Sequence, residues 1–325
     1  MSCAPACRRL SCLLLLALVP VAAARAVEPP APAAAEAAPD EAALRTRLDT
    51  ALAAAAWDSA LAPAEELAAL GQERYLEALY VVLRVHCARQ DHAKASATLD
   101  ALLDAGWWDY RRLRSDPDVA FLMHEDAAKA RVRRAWASQY IAMLDRESRD
   151  AMQKPDEVMA ALAVKEGERV ADVGAGSGYF TLRLARAVGA AGHVLALDIR
   201  QEMLDSIAAK VREAQLDNVE LKLVPADDPQ LPPGGCDLVL MVDTIHYIPD
   251  RVAYARRLRE GLAPGGRLVI IDFRYDPAAV REFAPPPEQQ VPREALDADL
   301  AQAGLVVAAS FEFLPEQYFV VYRAR

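Results

Sequence analysis

Seven short runs rich in apolar and β-branched residues follow one another in the second half of the chain. In order they read RVADVG, HVLALDI, VELKLV, CDLVLMV, RLVIIDF, LVVAASF and YFVVYRA. The first five alternate with stretches of helical period, which predicts parallel strands covered by helices on both faces. Only the short segment LPEQ separates the last two runs, so they are predicted to form a hairpin that makes one strand antiparallel. The pattern predicts an α/β doubly wound, seven-stranded sheet.

Residues 42–136 show a different pattern, in which apolar residues recur at spacings of three and four. These positions include Leu76, Leu79, Tyr80, Leu83, Leu99, Leu102 and Leu103. Such spacing is typical of amphipathic helices, and short breaks at Gly71, Gln90–Asp91 and Gly106 divide the region into helical hairpins. We therefore expect an N-terminal all-helical domain, followed by the α/β domain at residues 148–325.

The first 26 residues have the order of a secretory signal peptide. Arg8 and Arg9 precede a short apolar run, Leu10–Val21, and Ala24–Ala26 resembles a cleavage site. This order predicts a periplasmic or secreted protein with no transmembrane span in the mature chain. An uncleaved leader that anchors the chain in the inner membrane and a misassigned start codon are the alternatives. Residues 27–41, rich in Pro and Ala, are predicted to be a linker.

Composition and charge narrow the classes of function. The 325 residues are 54% hydrophobic and 26% charged, which excludes a collagen-like, disordered or multi-span membrane protein. The net charge of −10 disfavours a nucleic-acid partner. The five cysteines have no paired spacing, so neither a metal site nor a disulfide framework is predicted.

A glycine-rich loop follows the first predicted strand. That strand ends at Asp172, and Gly174, Gly176 and Gly178 precede a helix predicted to begin near Tyr179. Glycines allow the backbone to turn sharply and approach a ligand, and the following helix N-terminus offers free N–H groups. The spacing is G-x-G-x-G rather than the G-x-G-x-x-G of dinucleotide enzymes, and such a loop alone is a weak signal.

Acidic residues at the ends of the following strands strengthen this signal. Asp198 ends the second strand, where a carboxylate can bind both hydroxyls of a ribose. Asp227 lies just beyond the third strand, within reach of an exocyclic adenine amine. Asp243 lies near the end of the fourth strand. The order and spacing of these residues together indicate a nucleoside-containing cofactor.

Residues 148–325 resemble a class I S-adenosylmethionine-dependent methyltransferase, within the group that includes quinone C-methyltransferases. The resemblance implies strand order 3-2-1-4-5-7-6 and S-adenosylmethionine as cofactor. It also implies a set of cofactor-binding residues: Asp172, Gly174, Ala175, Gly176, Ser177 and Gly178 around the methionine part, Asp198 on the ribose, Ile199 on the adenine ring, Asp227 on the adenine amine, and Asp243 where donor and acceptor meet. Upstream, the segment SRDAMQKPDEVMAALAV would lie over the pocket, with Gln153, Lys154 and Pro155 either closing it or packing.

The resemblance implies methyl transfer by in-line displacement, a reaction that depends mainly on proximity and alignment and uses a base only if the acceptor carries a proton. His246 is the candidate base because imidazole titrates near neutral pH, and Asp243 could orient it or the acceptor. A packing role for His246 beside Tyr247 is the alternative. The expected acceptor is a small or lipid-like molecule, and a protein carboxyl group is a second acceptor class suggested by GAGSGY.

The segment from Tyr75 to Leu122, which contains LLDAGWWDY and LRSDPDVAFL, resembles the terminal unit of bacterial tetratricopeptide-type arrays. This resemblance implies a helical surface for a protein partner, although the sequence has no clean repeat of such units. Export would separate a methyltransferase from its cytoplasmic donor. An exported, non-catalytic scaffold therefore stands as the rival hypothesis.

Overall fold

The computed structural model describes residues 41–68, 72–107, 109–279, 281 and 283–325. The predicted leader, the predicted linker up to residue 40 and the predicted break at Gly71 lie outside the described residues. Among the described residues, no helix combines the length and apolar character that crossing a bilayer requires.

Six helices form the helical region in the described part of the chain. They are α1 (Glu41–Ala53), α2 (Trp57–Ala68), α3 (Gln72–Ala88), α4 (His92–Asp104), α5 (Tyr110–Ser115) and α6 (Asp126–Leu144). The predicted break at Gln90–Asp91 separates α3 from α4, and the Asp91 side chain caps α4 by accepting from the Lys94 N–H at 3.2 Å. Helix α6 continues past Trp136, the predicted end of the helical region, and reaches Leu144.

The helical region has its own apolar core, divided between two clusters that share α3. One cluster joins α1 and α2 to α3 through residues such as Leu48, Leu67 and Val85. The other joins α3 to α4, α5 and α6 around Leu99 and Trp107. Trp107 stacks on the ring of Tyr80 with 5.3 Å between the ring centroids, which places this tryptophan in the core.

The sheet confirms the predicted order 3-2-1-4-5-7-6. Its strands are β1 (Arg169–Val173), β2 (His193–Asp198), β3 (Val219–Leu223), β4 (Cys236–Val242), β5 (Leu262–Phe273), β6 (Leu305–Phe311) and β7 (Gln317–Ala324). β7 pairs antiparallel with both β5 and β6, whereas the other pairs are parallel. Because β1 lies between β2 and β4, the connections leave it towards opposite sides and open a crevice at its carboxyl end.

Helices cover both faces of this sheet. They are α7 (Ser148–Gln153), α8 (Pro155–Leu162), α9 (Thr181–Val188), α10 (Gln201–Glu213), α11 (Arg251–Gly261) and α12 (Arg293–Gln302). Apolar residues of α8 and α9 pack on one face, and α10 adds Leu204 and Ile207 beside Ala196. Residues of α11 and α12 pack on the opposite face.

One local prediction was wrong. The connection between β3 and β4 contains no helix, because Pro225, Pro229, Pro232 and Pro233 interrupt residues 224–235 and proline cannot continue a helical hydrogen-bond ladder. The segment containing Pro264, Gly265 and Gly266 lies within β5. There it forms an irregularity between the pairs Cys236–Leu262 and Leu238–Arg267.

Gln153 packs inside the protein instead of closing the cofactor crevice. It is fully buried, and its amide Nε2 donates to Oε1 of Gln317 at 3.0 Å. The Gln317 amide in turn donates to Oδ1 of Asp243. The end of α7 is thereby connected through β7 to a carboxylate at the end of β4.

Gln153→Ala is expected to lower the free energy of unfolding by about 1–3 kcal/mol, because it removes a hydrogen-bond partner from the buried Gln317 amide. The measurement is chemical denaturation, with Gln302→Ala in α12 as the matched control. Gln302 is exposed, so this variant should stay within about 0.5 kcal/mol of the wild type. Equal effects of the two substitutions would show that the buried amide pair does not stabilise the fold.

Candidate cofactor-binding site

A cavity of about 340 Å³ opens at the carboxyl ends of β1, β2 and β4, beneath α6 and α7. Its walls combine the glycine loop, the ends of the strands and one face of α6. Its lining residues include Trp136, Tyr140, Leu144, Arg149, Gly174, Ala175, Gly176, Ser177, Asp198, Ile199, Arg200, Asp243, Thr244 and Tyr247. Its position at the switch point of the sheet is where doubly wound proteins bind their ligands.

The glycine loop needs glycine for both its dihedral angles and its contacts. Gly174, Gly176 and Gly178 have φ of +75°, +55° and +83°, in the left-handed region that other residues rarely adopt. A Cβ on Gly174 would lie 2.4 Å from Oγ1 of Thr244, so the loop could not pass the end of β4 with a side chain there. Gly178 packs against Ile207 of α10 and does not line the cavity.

The carboxylate of Asp198 is held by two backbone N–H groups. Oδ2 accepts from Gly176 at 2.9 Å, and Oδ1 accepts from Arg200 at 3.0 Å. Burial raises the pKa of Asp198 above its usual value, while these two hydrogen bonds act in the opposite direction. Each carboxylate oxygen keeps a further lone pair, and Asp198 lines the cavity. The carboxylate can therefore accept from the two hydroxyls of a ribose without reorganisation.

Asp172 lies under the loop and does not line the cavity, although the resemblance implies that it borders the cofactor. Its Oδ2 accepts from Oγ1 of Thr181 at 2.6 Å, which joins the end of β1 to the start of α9. Burial raises the pKa of Asp172 to about 6. Asp172 thus stabilises the loop from below.

The loop and the strand end fit an adenosyl cofactor. Ser177 Oγ is buried and has no hydrogen-bond partner among the described residues, which leaves a hydroxyl available to a ligand. Ile199, next to Asp198, is an apolar side chain that remains 54% exposed and lines the cavity. An exposed apolar side chain beside a ribose-binding carboxylate suits the face of an adenine ring.

Asp243 lies at the far end of the cavity, after β4. Its backbone is in the left-handed region, with φ of +50°, and its N–H donates to the Ile271 carbonyl at 2.9 Å. The side chain accepts from Gln317, and Oδ2 lies 3.9 Å from Nη2 of Arg149. Burial, followed by the negative charge of Asp272, raises the pKa of Asp243 to about 7. A carboxyl group with this pKa can exchange a proton at neutral pH.

The structure does not bring His246 to the cavity surface. Its side chain is only 2% exposed, and Nδ1 lies 2.8 Å from Oδ1 of the equally buried Asp272. The ring also contacts Tyr247, with 4.1 Å between the ring centroids. This placement corrects the expectation of a general base and matches the packing alternative, because an acceptor in the cavity could not touch the imidazole.

Asp227 also falls outside the cavity lining. Its side chain is exposed and its carbonyl accepts from Arg257, whereas the neighbouring Ala226 lines the cavity. The sequence places Asp227 correctly after β3. Because Asp227 does not line the cavity, its contact with the adenine amine stays a prediction.

The contribution of α6 to one wall of the cavity was not predicted from the sequence. Trp136 and Tyr140 stack with 4.8 Å between their ring centroids, and the Arg200 guanidinium lies 4.0 Å from the Trp136 centroid. The side chain of Leu144 lies against Gly176, 3.2 Å from where a Cβ would be. Residues 136, 140 and 144 follow an i, i+4, i+8 spacing that places them on one face of the helix. This spacing is the sequence pattern from which the α6 wall could have been predicted.

Asp198→Ala is expected to lower the affinity for S-adenosylmethionine by more than about tenfold, or about 1.4 kcal/mol, while the chain remains folded. The substitution removes the proposed ribose acceptor together with the hydrogen bond that holds the loop. Calorimetric titration measures the affinity, and Asp205→Ala, an exposed site in α10, is the matched control. Wild-type affinity in Asp198→Ala would overturn the ribose assignment.

Asp172→Asn tests the raised pKa of the buried carboxyl. Because the folded pKa of about 6 exceeds the usual value near 3.9, the contribution of Asp172 to wild-type stability is greatest below pH 4 and is lost as the pH rises through 6. The asparagine side chain does not ionise, so the variant does not show this loss. Its stability relative to wild type should therefore increase by roughly 2 kcal/mol between pH 4 and pH 7. A pH-independent difference in denaturation midpoints would contradict this account.

Comparisons with known proteins agree with the geometry. Residues 164–304 match a family model described as a methyltransferase domain. A demethylmenaquinone methyltransferase from Listeria welshimeri is 34% identical over 116 residues, which are 36% of this chain and 49% of the relative. A ubiquinone/menaquinone biosynthesis C-methyltransferase from Vibrio vulnificus is 31% identical over 117 residues, 35% of this chain and 45% of the relative. The chain spans about half the length of these curated relatives.

A solved structure gives wider coverage. The crystal structure of a SAM-dependent methyltransferase from Aquifex aeolicus is 30% identical, with a TM-score of 0.53. The match covers 57% of this chain and 97% of that one. Together with the sheet order and the cavity at its switch point, this similarity shows that the chain belongs to the class I S-adenosylmethionine-dependent methyltransferases.

Proposed function

We propose that this methyltransferase acts on a small or lipid-like acceptor that carries a quinone-type ring in its reduced form. The observation that carries the proposal is the aromatic wall of the cavity, which Trp136, Tyr140 and Tyr247 form. Trp136 contacts Arg200 and stacks on Tyr140, and Tyr247 lies in the segment that follows Asp243. Flat aromatic side chains bind planar rings by stacking and by burial of apolar area. The printed names of the Listeria and Vibrio relatives, which concern quinone methylation, support the same acceptor class.

When bound, S-adenosylmethionine would supply a methyl group that its sulfonium has already activated. The remainder of the donor would leave as S-adenosylhomocysteine. The chain's own residues then have three tasks: holding the donor, excluding water and accepting a proton. Asp198 and the glycine loop would hold the donor at the ends of β1 and β2. Helix α6 would exclude water with its aromatic side chains.

We assign to Asp243 the role of accepting the proton that the acceptor releases. Methylation of a ring carbon forms a carbon–carbon bond and releases the proton which that carbon carried. The Asp243 carboxylate, held by Gln317 and near Arg149, can accept it at the acceptor end of the cavity. His246 has no part in this step, because it pairs with the buried Asp272 and contacts Tyr247 rather than lining the cavity.

The two alternatives from the sequence differ in their support. No specific observation favours a protein carboxyl acceptor, whereas aromatic side chains line the cavity that Asp243 also lines. A non-catalytic scaffold is disfavoured because the glycine loop from Gly174 to Ser177, Asp198 and Asp243 line one cavity. Export by residues 1–26 and a protein partner for the helical region remain separate proposals, and neither is needed for the chemistry.

The test is methyl transfer from labelled S-adenosylmethionine to short-chain demethylmenaquinol, detected as a methylated product by mass spectrometry. Asp243→Asn should lower kcat by about 100-fold or more while the affinity for S-adenosylhomocysteine changes by less than about threefold. Asp217→Asn, an exposed aspartate before β3, should match the wild type. If wild type binds donor but leaves the quinol unmodified, the acceptor class is wrong. If Asp243→Asn retains full kcat, the proton assignment is wrong.

A further inference from the structure

The two edge strands of the sheet differ in charge. β3 forms one edge and β6 forms the other. β3 reads VELKL and carries Glu220 and Lys222, whereas β6 reads LVVAASF and contains no charged residue. Charged side chains on an edge strand discourage the pairing of a further strand, and a neutral edge strand lacks that protection. β6 is therefore the edge at which this sheet can be extended.

β6 is exposed over most of its length. Val306 and Val307 are large apolar side chains that remain 37% and 44% exposed, and residues 308–310 are exposed as well. Consecutive residues of a strand point to opposite faces, so neither face of β6 is covered along this stretch. Among the described residues, β7 is the only strand that pairs with β6. The outer side of β6 thus presents backbone N–H and C=O groups that have no partner strand.

The middle of β6 suits an antiparallel pair of identical strands. Ala308 is the central residue of Leu305–Phe311, and the pairing with β7 shifts register there, between Val307 and Ala309. Two identical antiparallel strands are related by a two-fold axis. An axis at Ala308 places Leu305 opposite Phe311 of the second copy and Val307 opposite Ala309. The irregularity then lies on the axis, and both halves of the strand remain available for pairing.

Opposite charges flank this neutral strand. Before β6, the guanidinium of the exposed Arg259 fills the space that a Cβ on Gly304 would occupy. After β6, the side chain of Glu312 is 73% exposed, although its Oε2 accepts from Nη2 of Arg274 at 2.8 Å. The same antiparallel register places Gly304 of each copy opposite Glu312 of the other. Arg259 of one copy therefore meets a carboxylate of the other, and the edge is complementary to itself in charge.

We infer that β6 pairs antiparallel with β6 of a second copy of this chain, so that two sheets become one continuous sheet in a closed homodimer. Each copy uses the same surface, which makes the contact isologous and ends assembly at two chains. Pairing satisfies the outer backbone groups of both strands, and the flanking charges set the antiparallel direction. β5 and β7 separate β6 from β4, whose end lines the cofactor cavity, so both cavities stay open.

The experiment is sedimentation equilibrium of the full chain between about 1 and 100 µM. The wild-type mass should rise from one chain to two, with a dissociation constant in the micromolar range because one strand pair is a small interface. Val307→Lys should raise that constant by about tenfold or more, since it places a lysine of each copy beside the axis. Leu223→Lys makes the same substitution at an exposed apolar residue of β3 and should keep the wild-type value.

A charge exchange tests the direction of pairing. Arg259→Glu and Glu312→Arg should each raise the dissociation constant by about threefold or more, because two like-charge contacts replace two opposite-charge ones. The variant that carries both substitutions should return it towards the wild-type value. Both positions are exposed, so this exchange decides the question even if thermal unfolding shows that Val307→Lys does not fold.

A mass of one chain at every concentration would overturn the inference, because it would leave β6 without a second copy. Masses beyond two chains would also overturn it, since they indicate an open, head-to-tail contact. A wild-type dimer that Val307→Lys weakens no more than Leu223→Lys does would place the interface elsewhere. Failure of the double variant to recover would contradict the antiparallel register.

Discussion

The hydrogen bond from the Gly176 N–H to the Asp198 carboxylate joins the two segments that build the site. It ties the loop after β1 to the turn after β2, across neighbouring parallel strands whose carboxyl ends meet at the same edge. The loop can take this path only because Gly174 passes Thr244 at a distance that no side chain permits. With the loop fixed, Gly174, Gly176 and Ser177, the Asp198 carboxylate and the end of β4 line one cavity. A ligand then meets polar groups that are already in place, which lowers the cost of binding.

The helical region takes part in this site through α6. Lys210 of α10 donates to Asp145 at the end of α6, at 2.5 Å, and to the Ser177 carbonyl of the loop, at 2.8 Å. Leu144 packs on Gly176, and Tyr140 lines the same cavity as Tyr247, which follows β4. The same helix therefore belongs to the core of the N-terminal region and to the wall of the cavity. This dual role gives the helical region a reason to accompany the sheet that does not depend on a partner.

The sheet order and the glycine loop could be predicted because local patterns in the sequence determine both. Apolar runs mark the strands, and the spacing of Gly174, Gly176 and Gly178 together with Asp198 marks the cofactor edge. The orientation of side chains was harder to predict from the sequence. His246 turns to the buried Asp272 and Asp227 turns to solvent, because tertiary packing and a proline-rich loop decide those directions. Arg149 and Trp136 were missed because they reach the site from helices that carry no motif. Only their distance in space relates them to the loop.

The most direct test of the account is calorimetric titration of the full chain with S-adenosylhomocysteine. A cavity formed by the glycine loop, Asp198 and α6 predicts one-to-one binding with a dissociation constant in the micromolar range. No detectable binding at millimolar ligand, in a sample whose cooperative thermal unfolding shows that it is folded, would contradict the account. That result would mean that the fold keeps the shape of a donor site without its function.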